Sequence, residues 1–351
     1  MKSKFCLLAA IATVASASSV FAAGYLQLAA GTDVRPSSYP ATTTTSSAIS
    51  GNSIYTNVTG GSGGNANIAI TRFAIGGSTT DKYISNTTWN TATGATPGGM
   101  SGFIYNVGPY FLVADNTANK IMKIDFTGGT ASSYTTYSAV FGATGSVGAA
   151  GVGPYGQLLF NNTNATNTAN RGISVTKSDG TITTLIAGSA VSAASGGTAV
   201  AGLAQIGNKI YFGGNTTRDL YVYDLDNTSL GIKSLVTSTD IKTATGASSN
   251  QFLGSAFIPI GNSIYFFDNS AKGIYSVDVN TKAISTVLTS TDLTNGPMAS
   301  TAVGGFTVWN EKIAFYNVSA SGVAGVYAIP EPSALGLVVP ALVALRRNRR
   351  A

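Results

Sequence analysis

From Gly24 to Ile329 the chain is a succession of short runs in which apolar and polar positions alternate, or apolar ones continue, until a cluster of Gly, Asn, Asp or Ser closes the run. SIYTNV (53–58), KIYFGG (209–214), DLYVYDL (219–225) and GIYSVDV (273–279) are examples. Alternation with a period of two marks a half-buried strand, and a short unbroken run marks a strand covered on both faces. The runs are rich in Ile, Val, Tyr, Phe and Thr, which suit a pleated surface. The residues between them are those that tight turns require.

The runs repeat as a set. GNSIY at 51–55 recurs at 261–265, with GNKIYF at 207–212 and looser relatives GPYFLV (108–113), GPYGQLLF (153–160) and NEKIAF (310–315). The six starts lie 57, 45, 54, 54 and 49 residues apart, about 52 on average. VTSTD (236–240) and LTSTD (288–292) give the same spacing independently. Repeats of this length built from short strands are the mark of propeller blades. The sixth unit lacks its fourth strand, and GYLQLAA (24–30) can supply it, which hides the edge an open blade would expose. The pattern therefore predicts an all-β fold over 23–329: a six-bladed β-propeller of four-stranded blades, the last closed by the N-terminal strand. Residues 31–50, rich in Thr and Ser, read as a surface excursion. A β-solenoid or sandwich is the rival, but hexapeptide and nonapeptide solenoid coils are shorter than this repeat. The strand order across 24–329 resembles six-bladed propellers of the NHL and TolB-like kind. That resemblance implies the fold and carries no functional residues.

Charge changes the picture at the ends only. The formal net charge is +6, but Lys2, Lys4, Arg346, Arg347, Arg349 and Arg350 flank the body, which is itself nearly neutral. No basic stripe is present, so nucleic acid is not an expected partner. The start, MKSKFCLLAAIATVASASSVFAAG, has a cationic region, an apolar stretch from Phe5 to Val14, and Val20-Phe21-Ala22 as a cleavage site. This is the pattern of a secretory signal peptide, residues 1–22, removed by signal peptidase. Cys6, the one cysteine, falls inside it, so the exported chain has no disulfide.

Candidate chemistry is sparse. With no histidine and no cysteine after export, Ser-His-Asp triads, Cys-His pairs and His-ligated metals are excluded. Glu311 is the body's single glutamate, so general acid–base work would fall to Asp, Lys or Tyr. Asp115 and Asp268 end second strands, and Asp125, Asp224 and Asp278 share a place in third strands. Recurrence at matched positions points to turn chemistry rather than to one catalytic site. Asp224 and Asp226, in DLDN, are the candidates for a hard cation such as Ca²⁺, which needs six or more oxygens. Trp89, in the polar stretch NTTWNTATG, is the candidate exposed ligand contact, whereas Trp309 is expected to pack. Seven Asn-x-Ser/Thr triplets, at Asn57, Asn86, Asn161, Asn164, Asn215, Asn227 and Asn317, read as Asn/Thr-rich loops.

The end of the chain carries the most specific motif. Pro330-Glu331-Pro332-Ser333 leads into the uncharged segment 333–345 and then the four arginines. Thirteen helical residues span about 20 Å, short of the ~30 Å hydrocarbon core, and Pro340 interrupts them. The segment suits a transient inner-membrane stop with its arginines on the cytoplasmic side. This order, over residues 330–351, resembles the PEP-CTERM sorting signal of Gram-negative bacteria. The resemblance implies recognition by an exosortase, processing near the Pro-Glu-Pro, and release to the cell surface or extracellular matrix of a biofilm-forming cell. The resulting expectation is a non-enzymatic binding or scaffold propeller, with extracellular polysaccharide as a ligand class. An extracellular polysaccharide-acting enzyme using Asp and Tyr, and a structural coat protein without ligand, are the alternatives.

Overall fold

The computed structural model describes residues 25–34, 43–59, 68–94, 100–106, 110–115, 118–126, 128–136, 147–152, 157–162, 172–176, 181–197, 199–252, 257–319 and 322–329. The segment expected to be a signal peptide, 1–22, and the tail expected to carry the sorting signal, 330–351, with Pro330, Glu331, Pro332, Ser333, the segment 333–345 and Arg346, Arg347, Arg349 and Arg350, lie outside them. Among the described residues no helix is long and apolar enough to cross a membrane.

The strands form six four-stranded antiparallel sheets. Blade 1 comprises β2 (Thr43–Ser50), β3 (Ser53–Thr59), β4 (Ile68–Ala74) and β5 (Thr80–Ser85). Blade 2 comprises β6 (Met100–Asn106), β7 (Tyr110–Asp115), β8 (Lys120–Asp125) and β9 (Thr130–Thr136). Blade 3 has β10 (Val147–Val152), β11 (Leu158–Asn162), β12 (Gly172–Thr176) and β13 (Ile182–Ala187). Blade 4 has β14 (Val200–Ile206), β15 (Lys209–Gly214), β16 (Leu220–Asp224) and β17 (Ile232–Val236). Blade 5 has β18 (Ile258–Ile260), β19 (Ser263–Asp268), β20 (Gly273–Asp278) and β21 (Ile284–Leu288). Blade 6 is β22 (Val303–Trp309), β23 (Lys312–Ser319) and β24 (Gly322–Ala328), completed by β1 (Leu26–Ala30) from the other end of the chain. Leu26 pairs with Ala328 and Ala30 with Gly325, so the N-terminal strand closes the ring as its pattern predicts.

First strands meet around the axis: β2 touches β6 and β22, β10 touches β6 and β14, and β18 touches β14 and β22. Where they converge there is little room for side chains. A Cβ on Gly151 would run into the Leu203 carbonyl, and one on Gly202 (φ 74°) into the Phe257 ring. The apolar cores lie between blades, because each sheet is apolar on both faces and buries one against each neighbour. Ile54, Phe73, Tyr316 and Val326 join blades 1 and 6; Tyr55, Ile84, Phe111 and Met122 join blades 1 and 2. Tyr211, Leu235, Phe257 and Phe266 join blades 4 and 5.

One expectation is corrected here. The described parts of 31–50 are no surface excursion: Gly31–Val34 form a short helix, α1, with Val34 buried, and Thr43–Ser50 are the innermost strand of blade 1, while 35–42 lie outside the described residues. Thr and Ser serve there because Ser47 and Thr56 hydroxyls bond each other (2.8 Å) and Asn57 Nδ2 donates to Ser46 Oγ (3.0 Å), which pairs these hydroxyls inside the ring. The VTSTD and LTSTD sequences hold matching places in blades 4 and 5. Each runs from the fourth strand into a helix, α4 (Ser238–Thr245) and α5 (Ser290–Asn295), through a Thr–Asp capping box. Helices follow the fourth strands of blades 1 and 3 as well, as α2 (Asn86–Thr93) and α3 (Gly188–Ser195).

Candidate ligand-binding groove

Antiparallel order places two kinds of connection at one mouth of the ring: the turn from second to third strand and the crossover from the fourth strand to the next blade. The crossover helices α1 to α5 therefore gather on that mouth.

Each described crossover is tied down by the blade it enters. Trp89 on α2 donates Nε1–H to Asp115 Oδ2 (2.8 Å), and Lys120 Nζ donates to the Thr93 carbonyl (2.8 Å). Tyr221 OH donates to Ala194 O at the end of α3 (3.0 Å), and Tyr25 OH to Leu293 O in α5 (2.9 Å). Asp268 Oδ1 accepts from Gln251 N (3.2 Å) in the blade 4 to blade 5 crossover, and from Ser270 N and Ala271 N (2.7 and 3.1 Å) in its own turn. Asp115 Oδ1 accepts from Ala118 N (2.9 Å) in the same way. The aspartates that end second strands are clamps between blades.

The placement of Trp89 corrects the expectation of an exposed contact. NTTWNTATG is a helix rather than a loop, capped by Ser85, whose side chain accepts from Thr88 N, and Trp89 is 0% exposed. Its indole needs a partner once buried, and Asp115 provides one. Trp309 packs against the blade 6–blade 1 core. Three of the Asn-x-Ser/Thr asparagines, Asn57, Asn161 and Asn317, are buried strand residues rather than loop residues.

Asp224 and Asp226 lie at the opposite mouth and do not form a cation nest. Asp224 Oδ1 accepts from Asp226 N (3.0 Å), and its Oδ2 lies 3.8 Å from Lys209 Nζ. Both oxygens of Asp226 accept from Asn208 Nδ2 (2.9 and 3.1 Å). Among the described residues no group of three or more acidic, His or Cys side chains converges on a metal position. Asp278 is likewise engaged: its Oδ1 accepts from the N–H groups of Thr281 and Asn280, which hold its carboxyl below the usual range.

At the crossover mouth, between blades 4 and 5, is an open groove of about 300 Å³ lined by Arg218, Ser238, Lys242, Ser249, Gln251 and Ser270, with Ser248 and Asn250 completing it. Four segments converge there: the β15–β16 turn, α4, the crossover after it, and the β19–β20 turn. Asn250 is its buried pin: Oδ1 accepts from Ser238 Oγ (2.6 Å) and Nδ2 donates to the Arg218 carbonyl (2.8 Å). Arg218 is held in left-handed backbone (φ 65°) while its N–H donates to Gly214 O (3.0 Å). Ser249 Oγ donates to Ser270 Oγ (3.1 Å), bridging the blades. The lining offers hydroxyls, amides and two cations and holds no carboxylate. The sequence reading did not single out this groove. A comparison of SSNQ (248–251) with the shorter crossover after α5 would have shown an insertion at this junction.

The fold thus defines a six-bladed β-propeller with a polar groove on its crossover mouth. Solved structures similar to it include the following. A luciferin-regenerating enzyme aligns over 83% of this chain and 92% of its own, at 10% identity and a TM-score of 0.51. Regucalcin from Agrobacterium tumefaciens, a calcium-binding protein, aligns over 82% and 89%, at 11% identity and a TM-score of 0.50. Virginiamycin B lyase from Staphylococcus aureus aligns over 83% and 85%, at 14% identity and a TM-score of 0.46. No protein-family model and no curated protein matches the sequence. The two that reach a TM-score of 0.50 show the fold alone, and one is an enzyme and the other a calcium-binding protein.

Proposed function

We propose that this protein is exported, sorted by an exosortase and displayed on the surface or in the extracellular matrix of a Gram-negative cell, where its propeller binds polysaccharide without turning it over. The order of Pro330-Glu331-Pro332, apolar segment and arginines supports the route. The observation that carries the binding reading is the groove: its hydroxyl and amide lining matches the hydroxyls of a sugar chain, and its open form suits a polymer passing across the mouth. The non-enzymatic part rests on the aspartates Asp115, Asp219, Asp240 and Asp268 of that mouth, each engaged with turn or helix-cap N–H groups rather than paired over a cleft.

The binding test is affinity electrophoresis of the purified chain through gels containing matrix polysaccharide, with the polymer's length measured afterwards. Retention with unchanged chain length is expected. Shortened chains would make the protein an enzyme and overturn the reading. The route is tested by replacing Arg346, Arg347, Arg349 and Arg350 with Ala in the producing cell. Accumulation of an unprocessed, membrane-associated precursor is expected, and unchanged release would remove the sorting part.

A further inference from the structure

The groove has a sign as well as a lining. Arg218 and Lys242 are both half-buried in it, and among the described residues neither meets a carboxylate. Among the described residues the ion pairs are Arg72–Asp81 and Lys209–Asp224, both away from the groove. The acids nearest in sequence are already engaged. Asp219 accepts from Ser238 N (2.7 Å) and Ser234 Oγ (3.4 Å), and Asp240 from Thr237 N and Oγ1 (2.8 and 2.7 Å). Arg218 Nη1 donates to Asn215 Oδ1 (3.0 Å), which uses one of the guanidinium's five N–H groups. Two cations that have lost part of their hydration and gained no counter-charge favour an anion beside them.

The protein's own repeats separate what the fold needs from what this groove adds. Helices α4 (STDIKTAT) and α5 (STDLTN) begin alike under the same capping box, but Lys242 stands where α5 has Thr294. Arg218 occupies the left-handed position of the second-to-third-strand turn, where blade 2 has Asn119 (φ 52°) and blade 5 Lys272 (φ 56°). The cap and the left-handed residue are thus structural, whereas the cation at 242 and the crossover segment Ser248–Gln251 belong to this junction alone among the pair compared.

We infer that the groove takes an acidic polysaccharide, with Arg218 and Lys242 on the anionic group of one sugar unit and the serine and glutamine side chains on neighbouring hydroxyls. The inference rests on the polysaccharide reading above and adds the charge of the chain. The test uses the full chain with two probes, alginate (a polyuronate) and dextran (neutral), and the variants Arg218→Asn, Lys242→Thr and their combination. Each substitution installs a residue that another blade carries at the same position, so the melting temperature is expected to stay at the parent's value. Alginate affinity is expected to fall about tenfold for each lost charge-assisted contact, and to weaken as salt approaches about 1 M, where screening reaches ~3 Å. Dextran is expected to bind far more weakly than alginate. If dextran binds as well as alginate, or if the double variant keeps the parent's alginate affinity, the acidic assignment is overturned while polysaccharide binding stands. If neither probe nor matrix polysaccharide is retained, both readings fall.

Discussion

Closure of the ring depends on one buried side chain near the start of β1. Tyr25 is 0% exposed, and its ring meets Phe315 and Tyr327 at centroid distances of 5.4 and 5.6 Å. Its hydroxyl donates to Leu293 O (2.9 Å) and accepts from Met298 N (3.1 Å), so a strand that completes blade 6 is also bonded to the crossover leaving blade 5. Tyr25→Phe keeps the ring contacts and removes both bonds, stranding a buried carbonyl and a buried N–H. At about 1–3 kcal/mol for each of the two groups left unsatisfied, the expected loss is about 2–6 kcal/mol. In a domain of this size that lowers the melting temperature by about 3–10 °C. Tyr25→Ala adds a cavity worth about 3–5 kcal/mol, which brings the total near the whole stability of a typical domain. Urea unfolding followed by the fluorescence of Trp309, in the blade 6–blade 1 core, and Trp89, between blades 1 and 2, measures both variants. Gly296→Ala supplies an independent check, since its Cβ would strike the Tyr25 ring from the crossover side. If Tyr25→Phe unfolds within about 0.5 kcal/mol of the parent, the magnitude of an ordinary surface substitution, the hydroxyl does not hold the closure and the argument fails.

Three further outcomes follow from the same geometry. Trp89→Phe removes the indole donor from buried Asp115, and a loss of about 1.5–3 kcal/mol in urea unfolding is expected for this charge-assisted bond. Glu311→Gly should stabilise the chain by about 1 kcal/mol, because Asn310 and Glu311 both sit in left-handed backbone (φ 48° and 61°) in a two-residue hairpin turn that favours Asn-Gly; an unchanged or lower melting temperature would count against it. Burial raises the phenol pKa of Tyr25, Tyr55, Tyr211 and Tyr275 and pushes Tyr327 up to about 12. The folded state then holds protons the unfolded state gives up. Stability is retained below about pH 10 and falls as pH rises from there toward about 12, which tyrosinate absorbance and circular dichroism recorded together will show.

Much of the architecture was legible because its causes are local. KIYFGG and SIYFFD are strands for reasons internal to each segment, and their repeat length fixes the blade. GYLQLAA could be assigned to blade 6 because NEKIAF and GVYAI left one strand unpaired. The strand Thr43–Ser50 was misjudged because Thr and Ser look solvent-facing in a linear pattern. The inner strand of a propeller instead meets its neighbours edge-on near the axis, where small hydroxyl side chains bond each other. Trp89 was misjudged similarly: its polar neighbours describe the outer face of a short helix, while the ring lies on the inner one.

The sequence by itself determined the strand runs, the number of blades and the strand that closes them, since period-two patterning and turn chemistry act over a few residues. Only the tertiary structure decided that Trp89 clamps Asp115, that Asp224 and Asp226 satisfy their own turn, and that Arg218, Lys242, Ser249 and Ser270 share one groove. Those contacts join residues from different blades, and the distance between them is set by the rotation of one sheet against the next, a quantity that no stretch of the chain encodes alone.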